Sequence, residues 1–207
     1  AAALLDPEPG MRVLDCCAAP GGKSTHLAEI MQDRGEVIAC DLHPHKIRLI
    51  EDNARRLGLT CIRTLAADAA KLGEFFPPAS FDRILLDAPC TGFGVIRRKP
   101  DIKWRKAPGD AAAVSRTQRE ILHAAADLLR PGGVLVYSTC TLSREENEEQ
   151  IDAFLAARPD FAAAESLPAA IPPGVAERCG SGPGRLLITP DEFGSDGFFM
   201  ARLIRVR

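Results

Sequence analysis

A chain of 207 residues and 22.3 kDa has room for one domain of ordinary size, and 46 % hydrophobic residues are enough to close a core without disulfide or metal staples. The 26 Lys and Arg against 28 Asp and Glu leave a formal charge of −2, which excludes a polybasic tail and a self-repelling disordered chain, so any nucleic-acid contact must be local. Seven cysteines, none spaced C-x-x-C, argue against a zinc ribbon and for free thiols in a reducing compartment, and no apolar run approaches the roughly 18 residues of a membrane span.

The chain opens Ala-Ala-Ala-Leu-Leu-Asp-Pro without a Met, a few residues before its first strand, and is expected to be one domain (1–207) of a longer, soluble, cytoplasmic protein. Short apolar, partly β-branched runs read as buried strands at Arg12 to Cys16, Val37 to Cys40, Cys61 to Leu65, Phe81 to Leu86 and Val134 to Ser138. Helical periodicity separates them. Lys23 to Met31 reads as a short helix, and His43 to Leu57 as an amphipathic one with Pro44 in its first turn and Gly58 just past its end. Asp110 to Leu129 reads as a longer helix that stops at Arg130-Pro131-Gly132-Gly133. Ser143-Arg144-Glu145-Glu146 has the form of a capping box opening a helix to about Ala157, so the acids Glu145 to Glu149 read as a helix N-terminus rather than a metal site.

This alternation implies right-handed βαβ units and a parallel sheet with helices on both faces. From Ile171 to Gly197 the chain is rich in Pro and Gly, with a short apolar run at Leu186 to Thr189 before a last strand at Phe198 to Val206. Two strands without a helix between them suggest an antiparallel hairpin at the sheet edge.

Ligands of a parallel α/β sheet bind at the carboxyl ends of its strands. After the first strand comes Cys17-Ala18-Ala19-Pro20-Gly21-Gly22-Lys23-Ser24, a loop of small residues feeding a helix N-terminus, where free N–H groups can meet an anion. A phosphate-binding P-loop would need Gly in place of Cys17, and the dinucleotide fingerprint G-x-G-x-x-G is absent. Asp41, 20 residues after Gly21, stands where an acid commonly takes two ribose hydroxyls, although an acid capping the next helix would occupy the same place.

The fourth strand ends in Asp87-Ala88-Pro89-Cys90-Thr91-Gly92 and the fifth in Ser138-Thr139-Cys140-Thr141, so two thiols are expected at one cleft. Cys16, Cys40 and Cys61 lie within or beside strands and read as buried small hydrophobes. An adenosine-type cofactor beside a thiol suggests methylation of a pyrimidine at carbon 5. That carbon is a poor nucleophile until a thiolate adds to carbon 6, and removing its proton afterwards expels the enzyme. An ordinary thiol is only a few per cent ionised at neutral pH, so such a site should lower that pKa. Asp87 at the same rim is placed to accept from the exocyclic amine of a cytosine.

VLDCCAAPGGKSTHLAEIM, DRILLDAPCTGFGVIRRKPDIKW, YSTCTLSREENEEQI and DGFFMARL resemble, in order, the motifs of the Sun-type ribosomal RNA cytosine-5 methyltransferases, relatives of the Nop/NSun enzymes, from Val13 to Leu203. The resemblance implies a Rossmann-like class I methyltransferase with a mostly parallel seven-stranded sheet and an antiparallel C-terminal hairpin. It implies S-adenosylmethionine as cofactor, held by Cys17, Ala18, Ala19, Pro20, Gly21, Gly22 and Lys23, with Asp41 on the ribose, Asp68 near the adenine and Asp87 close to the methyl group and the target base. It makes Cys140 the nucleophile and Cys90 the thiol that assists release of the adduct. Spacing alone leaves the two thiols equivalent, and in DNA cytosine-5 methyltransferases a Pro-Cys thiol attacks, as Pro89-Cys90 would. Two positions depart from the family pattern: Phe93 stands where relatives have a small or hydroxyl residue, and Ala67-Asp68-Ala69 lacks a Gly beside the acid.

Residues 97–106 hold Arg97, Arg98, Lys99, Lys103, Arg105 and Lys106 against the single acid Asp101, with Trp104, the only Trp, among them. This segment is expected to meet RNA phosphates and to stack on a base. Relatives carry an N-terminal RNA-binding region, so these 207 residues are expected to hold cofactor well and ribosomal RNA poorly, as a monomer without metal. Transfer RNA or DNA as substrate, and a non-catalytic RNA-binding module, are the rival readings.

Overall fold

A computed structural model describes residues 1–105 and 109–207. In chain order the elements are α1 (Ala2–Leu5), β1 (Arg12–Asp15), α2 (Gly22–Ile30), β2 (Glu36–Asp41), α3 (Pro44–Leu57), β3 (Ile62–Ala66), β4 (Phe81–Asp87), α4 (Ile102–Arg105), α5 (Asp110–Leu128), β5 (Leu129–Thr139), α6 (Glu148–Ala157), β6 (Phe161–Ala163), α7 (Pro173–Cys179), β7 (Gly180–Gly182), β8 (Arg185–Ile188), α8 (Pro190–Phe193) and β9 (Phe198–Arg205). The helix boundaries follow from local chemistry. Pro44 starts α3, where its missing N–H costs nothing, and Gly58 ends it in the left-handed conformation at φ 69°.

Five parallel strands in the order β3-β2-β1-β4-β5 are continued by β9, β8 and β7, with β6 also paired to β9. The pairs β5·β9 and β8·β9 are antiparallel, so the C-terminal hairpin closes the sheet edge as the sequence suggests, with the single turn α8 in its connection. Among the described residues the sheet has nine strands rather than seven. The two extra strands are three residues each: β6 pairs Leu203 to Arg205, beyond the stretch of β9 that β8 pairs, and β7 borders β8. Strands of three residues are too short to carry a periodicity to read.

Successive strand residues point to opposite faces, so each strand feeds two cores. In β4, Ile84 and Leu86 join Leu14, Leu135, Tyr137 and Phe199 beneath α5 and α6, whereas Leu85 joins Val13, Val37 and Val136 against Leu4, Leu5, Leu27 and Met31. Cys16, Cys40 and Cys61 are buried. Burial raises the Cys16 thiol and pushes Cys40 and Cys61 up to about 12, which keeps them protonated.

The capping box does not form. Ser143 makes no side-chain cap, residues Arg144–Glu146 form a 3-10 turn, and the helix begins only after Asn147. Instead of reaching back to Ser143, Glu146 turns inward and is fully buried. Among the described residues no helix is long and apolar enough to cross a membrane.

Candidate active site

The carboxyl ends of β1, β2, β4 and β5 open onto a cleft of about 450 Å3 lined by Cys17, Ala19, Asp41, Asp68, Asp87, Cys90 and Cys140 among others. The loop after β1 is sewn down by backbone bonds: Ala18 N donates to Cys40 O at 2.7 Å, and Gly21 N to Ala18 O at 2.7 Å. Gly21 caps α2 at φ 105°, and a Cβ there would lie 2.9 Å from Ile50 Cα, so the crossing of the loop over α3 admits no side chain. Asp41 accepts from His43 N at 3.0 Å, and Lys46 Nζ is 3.8 Å from it. Asp41 thus holds the residue that precedes α3, without capping the helix itself, and still faces the cleft. Asp68 accepts from Ala70 N at 3.0 Å and caps a 3-10 turn over Ala69–Glu74.

Asp87 is fixed from two sides. Its Oδ2 accepts from Lys23 Nζ at 2.7 Å and its Oδ1 from Ser138 Oγ at 2.7 Å. Lys23 itself lines a separate cavity of about 240 Å3 with Ser138, Phe198 and Met200, and it meets the main cleft through Asp87. Ala18, Pro20, Gly21 and Gly22 do not line the cleft: Ala18 and Gly21 are buried, and Pro20 and Gly22 are exposed, Pro20 giving its carbonyl to Asn53.

Because β4 and β5 are neighbours in parallel register, with Asp87 opposite Ser138, their terminal loops leave the sheet together. They bring Cys90 Sγ and Cys140 Sγ to 3.2 Å. Two thiols this close share one negative charge more readily than two. Cys140 falls to about 7, chiefly because Cys90 donates to its sulfur and with help from Lys23, while burial and Asp87 oppose the shift. Cys90 rises, because losing its proton would remove that bond and place a second charge beside the first. Cys17 lines the same cleft but is held up by burial and the surrounding carboxylates.

Sequence reasoning missed several lining residues: Leu42, His43 and Lys46 just after Asp41, and Thr117 and Ile121 one turn apart on α5. The first three follow directly from the place of Asp41 before a helix. Nothing in the local pattern of α5 says which of its turns leans over the cleft.

In the basic segment, Arg97 donates to Gly194 O at 2.9 Å and Arg98 pairs with Asp196, so both arginines bind the segment that precedes β9. Lys99, Lys103 and Trp104 remain exposed, Trp104 by 87 %. Lys106 lies outside the described residues, and of Arg105 only the backbone is described.

Asp15, at the end of β1, is fully buried with Ser24 Oγ donating to it at 2.7 Å and its other oxygen unpartnered. Burial, reinforced by Asp87, raises its pKa from 3.8 to about 7. A carboxyl group whose folded pKa exceeds its unfolded one holds more protons when folded between those values, so stability falls as pH rises through that window and the full penalty stands above about 7. Asp15→Asn removes the titration. Its melting temperature relative to the parent should climb by about 2–5 °C per pH unit between pH 5 and 7, from a linkage slope of about 1.4 kcal/mol per unit. A difference that stays constant with pH would show that Asp15 does not titrate there.

Comparison with known proteins places this geometry. Residues 2–204 match the family described as 16S rRNA methyltransferase RsmB/F. The chain is 52 % identical over 202 residues to a probable ribosomal RNA small subunit methyltransferase B of Bacillus subtilis, covering 98 % of this chain and 45 % of that protein. It is 48 % identical over 159 residues to the mouse tRNA (cytosine(72)-C(5))-methyltransferase NSUN6, covering 72 % of this chain and 33 % of that one. Among solved structures, NSun6 from Pyrococcus horikoshii with SFG superposes at a TM-score of 0.85 with 36 % identity, over 100 % of this chain and 50 % of that one. The chain spans less than half the length of these curated relatives. Two neighbouring thiols at the ends of adjacent strands and a match across nearly the whole chain lead to one conclusion: this chain belongs to the RsmB/F family of 16S rRNA methyltransferases.

Proposed function

We propose that the chain is the catalytic part of an S-adenosylmethionine-dependent enzyme of the cytosol that methylates carbon 5 of a cytosine in small-subunit ribosomal RNA. The observation that carries this reading is the 3.2 Å approach of Cys90 and Cys140 on a cleft that also holds Asp41 and Asp87. The cleft suits the cofactor: its volume is that of a small-molecule site, Asp41 offers a carboxylate for ribose hydroxyls, and Leu42, Ala69 and Ile121 offer apolar cover for a base. When bound there, S-adenosylmethionine supplies an electrophilic methyl group.

The chain's own groups do the rest. The Cys140 thiolate adds to carbon 6 of a cytosine taken out of its stack, which makes carbon 5 nucleophilic. Asp87, held by Lys23 and Ser138, orients the base through its exocyclic amine. Once Cys140 is a thioether its charge is gone, so Cys90 returns towards an ordinary thiol and becomes able, as its thiolate, to take the proton from carbon 5. The electrons of that C–H bond re-form the ring double bond and expel Cys140 as thiolate. Lys99, Lys103 and Trp104 meet the RNA, while Arg97 and Arg98 hold the loop that carries them. One patch of this size binds a polyanion weakly and with strong salt dependence, so the rest of the full-length protein supplies most of the affinity for RNA.

The test is mass-spectrometric mapping of 5-methylcytosine in the RNA of cells lacking the full-length protein. One site in 16S ribosomal RNA should lose its methyl group and regain it on complementation. Intact ribosomal methylation with loss from transfer RNA would move the assignment to the other substrate, and loss from neither would end it.

A further inference from the structure

Glu146 is fully buried, on the turn between β5 and α6, and the chemistry described so far does not use it. Every hydrogen bond its carboxyl group makes is as an acceptor. Thr91 N donates to Oε2 at 2.9 Å and the Thr91 hydroxyl donates to Oε1. Gln118 Nε2 donates to Oε2 at 3.0 Å and also to Pro89 O at 2.9 Å. Thr91 Oγ1 lies 2.9 Å from Thr141 Oγ1, so the Thr141 hydroxyl donates to that of Thr91, which passes the bond on to Glu146, and Thr141 Oγ1 itself stands 3.5 Å from Oε1. Thr91 directly follows Cys90, and Thr141 directly follows Cys140.

The turn that holds Glu146 is anchored in its own right. Tyr137 donates its hydroxyl to Glu146 O at 2.7 Å, and Asn147 joins Thr139 Oγ1 at 2.6 Å to Thr141 O at 3.0 Å. A carboxyl group fully removed from water is an expensive anchor where apolar packing would serve for stability alone. Its value lies in fixing two polar loops at one separation.

We propose that Glu146 is a positioning residue: by gripping Thr91, and Thr141 beside it, Glu146 sets the distance between the two active-site sulfurs and so maintains the hydrogen bond between them. The significance of that distance rests on the adduct chemistry proposed above, but its test reads the thiols themselves.

The rate at which iodoacetamide alkylates Cys140 is followed against pH by peptide mass spectrometry. Glu146→Ala should move the profile upward by about one pH unit, slowing alkylation at pH 7 roughly fivefold. Glu146→Gln keeps one oxygen for the Thr91 N–H and can donate to the threonine hydroxyls, so it should stay within about twofold of the parent. In a Cys90→Ala background, Glu146→Ala should add nothing, because the bond it protects is already absent.

A Glu146→Ala profile that superimposes on the parent overturns the proposal. So does an equal loss in Glu146→Gln, which would assign the effect to charge, or an undiminished effect without Cys90. If Glu146→Ala does not fold, Thr141→Val, which removes one hydroxyl at constant shape, should shift the profile in the same direction, and an unshifted profile overturns the proposal equally. No RNA enters the assay, so a protein that fails to methylate would sink the proposed function and leave this result readable.

Discussion

Cys90→Ser protein given RNA and S-adenosylmethionine should transfer the methyl group and then remain bound to its product, as a band of retarded mobility on a denaturing gel. Cys140→Ser should give neither product nor band, with transfer reduced by at least about a thousandfold. The asymmetry follows from what a hydroxyl can replace. A serine at position 90 still donates a hydrogen bond to the Cys140 sulfur, so the nucleophile keeps part of its lowered pKa and the first bond still forms. A hydroxyl ionises far too weakly at neutral pH to take the proton from carbon 5, so the adduct waits for slow removal by water. A serine at position 140 supplies no polarisable anion to attack the ring, and Cys90 stays on its own loop with its thiol still raised by burial. Exchanged outcomes for the two variants would reverse the roles of the thiols.

Gly94→Ala should lower single-turnover methyl transfer by about a hundredfold while leaving the cofactor affinity within about threefold of the parent. Gly94 N donates to Cys140 O at 2.9 Å, and Gly197 N to Gly94 O at 2.8 Å, so three motifs that are remote in sequence meet at this glycine. A Cβ on Gly94 would lie 2.3 Å from Gly197 O and 2.8 Å from Cys140 O. Both neighbours are backbone, so no rotamer relieves the clash and the loops must part. A displacement of about 1 Å between reacting groups is enough to cost about two orders of magnitude in rate. The residues around Asp41 and Gly21 lie on other loops and keep their geometry. Gly197→Ala offers a contrast, since its new Cβ would press on the Leu142 side chain at 2.8 Å, which can rotate away, as well as on Gly94 Cα at 3.0 Å. It should therefore lose less. Calorimetric cofactor binding and rapid-quench transfer measure both arms. Near-parental transfer by Gly94→Ala would show that the thiol pair tolerates movement of its loop.

The alternation of short apolar runs with helical periodicity was enough to determine a parallel sheet with helices on both faces, the hairpin at its edge, and the strand ends where chemistry gathers. It also separated Cys16, Cys40 and Cys61, within or beside strands and buried in the core, from Cys90 and Cys140 in the loops beyond β4 and β5. These are local properties: each depends on neighbours within a turn or a strand, and the hydrophobic pattern reports them directly.

Tertiary structure decided what depends on register. That Cys90 meets Cys140 at 3.2 Å follows from Asp87 lying opposite Ser138, a pairing across about 50 residues that no local pattern encodes. The same holds for Glu146. Its spacing from Ser143 fits a capping box, but the threonines and the glutamine brought above it by β4, β5 and α5 offer more donors than the end of one helix, and the side chain turns to them. Arg97 and Arg98, read from composition as RNA contacts, stay exposed but also bond to Gly194 and Asp196 almost 100 residues away. A polar group binds whichever partner the fold presents, so its residue type is legible in the chain whereas its partner is known only once the distant segments have come together.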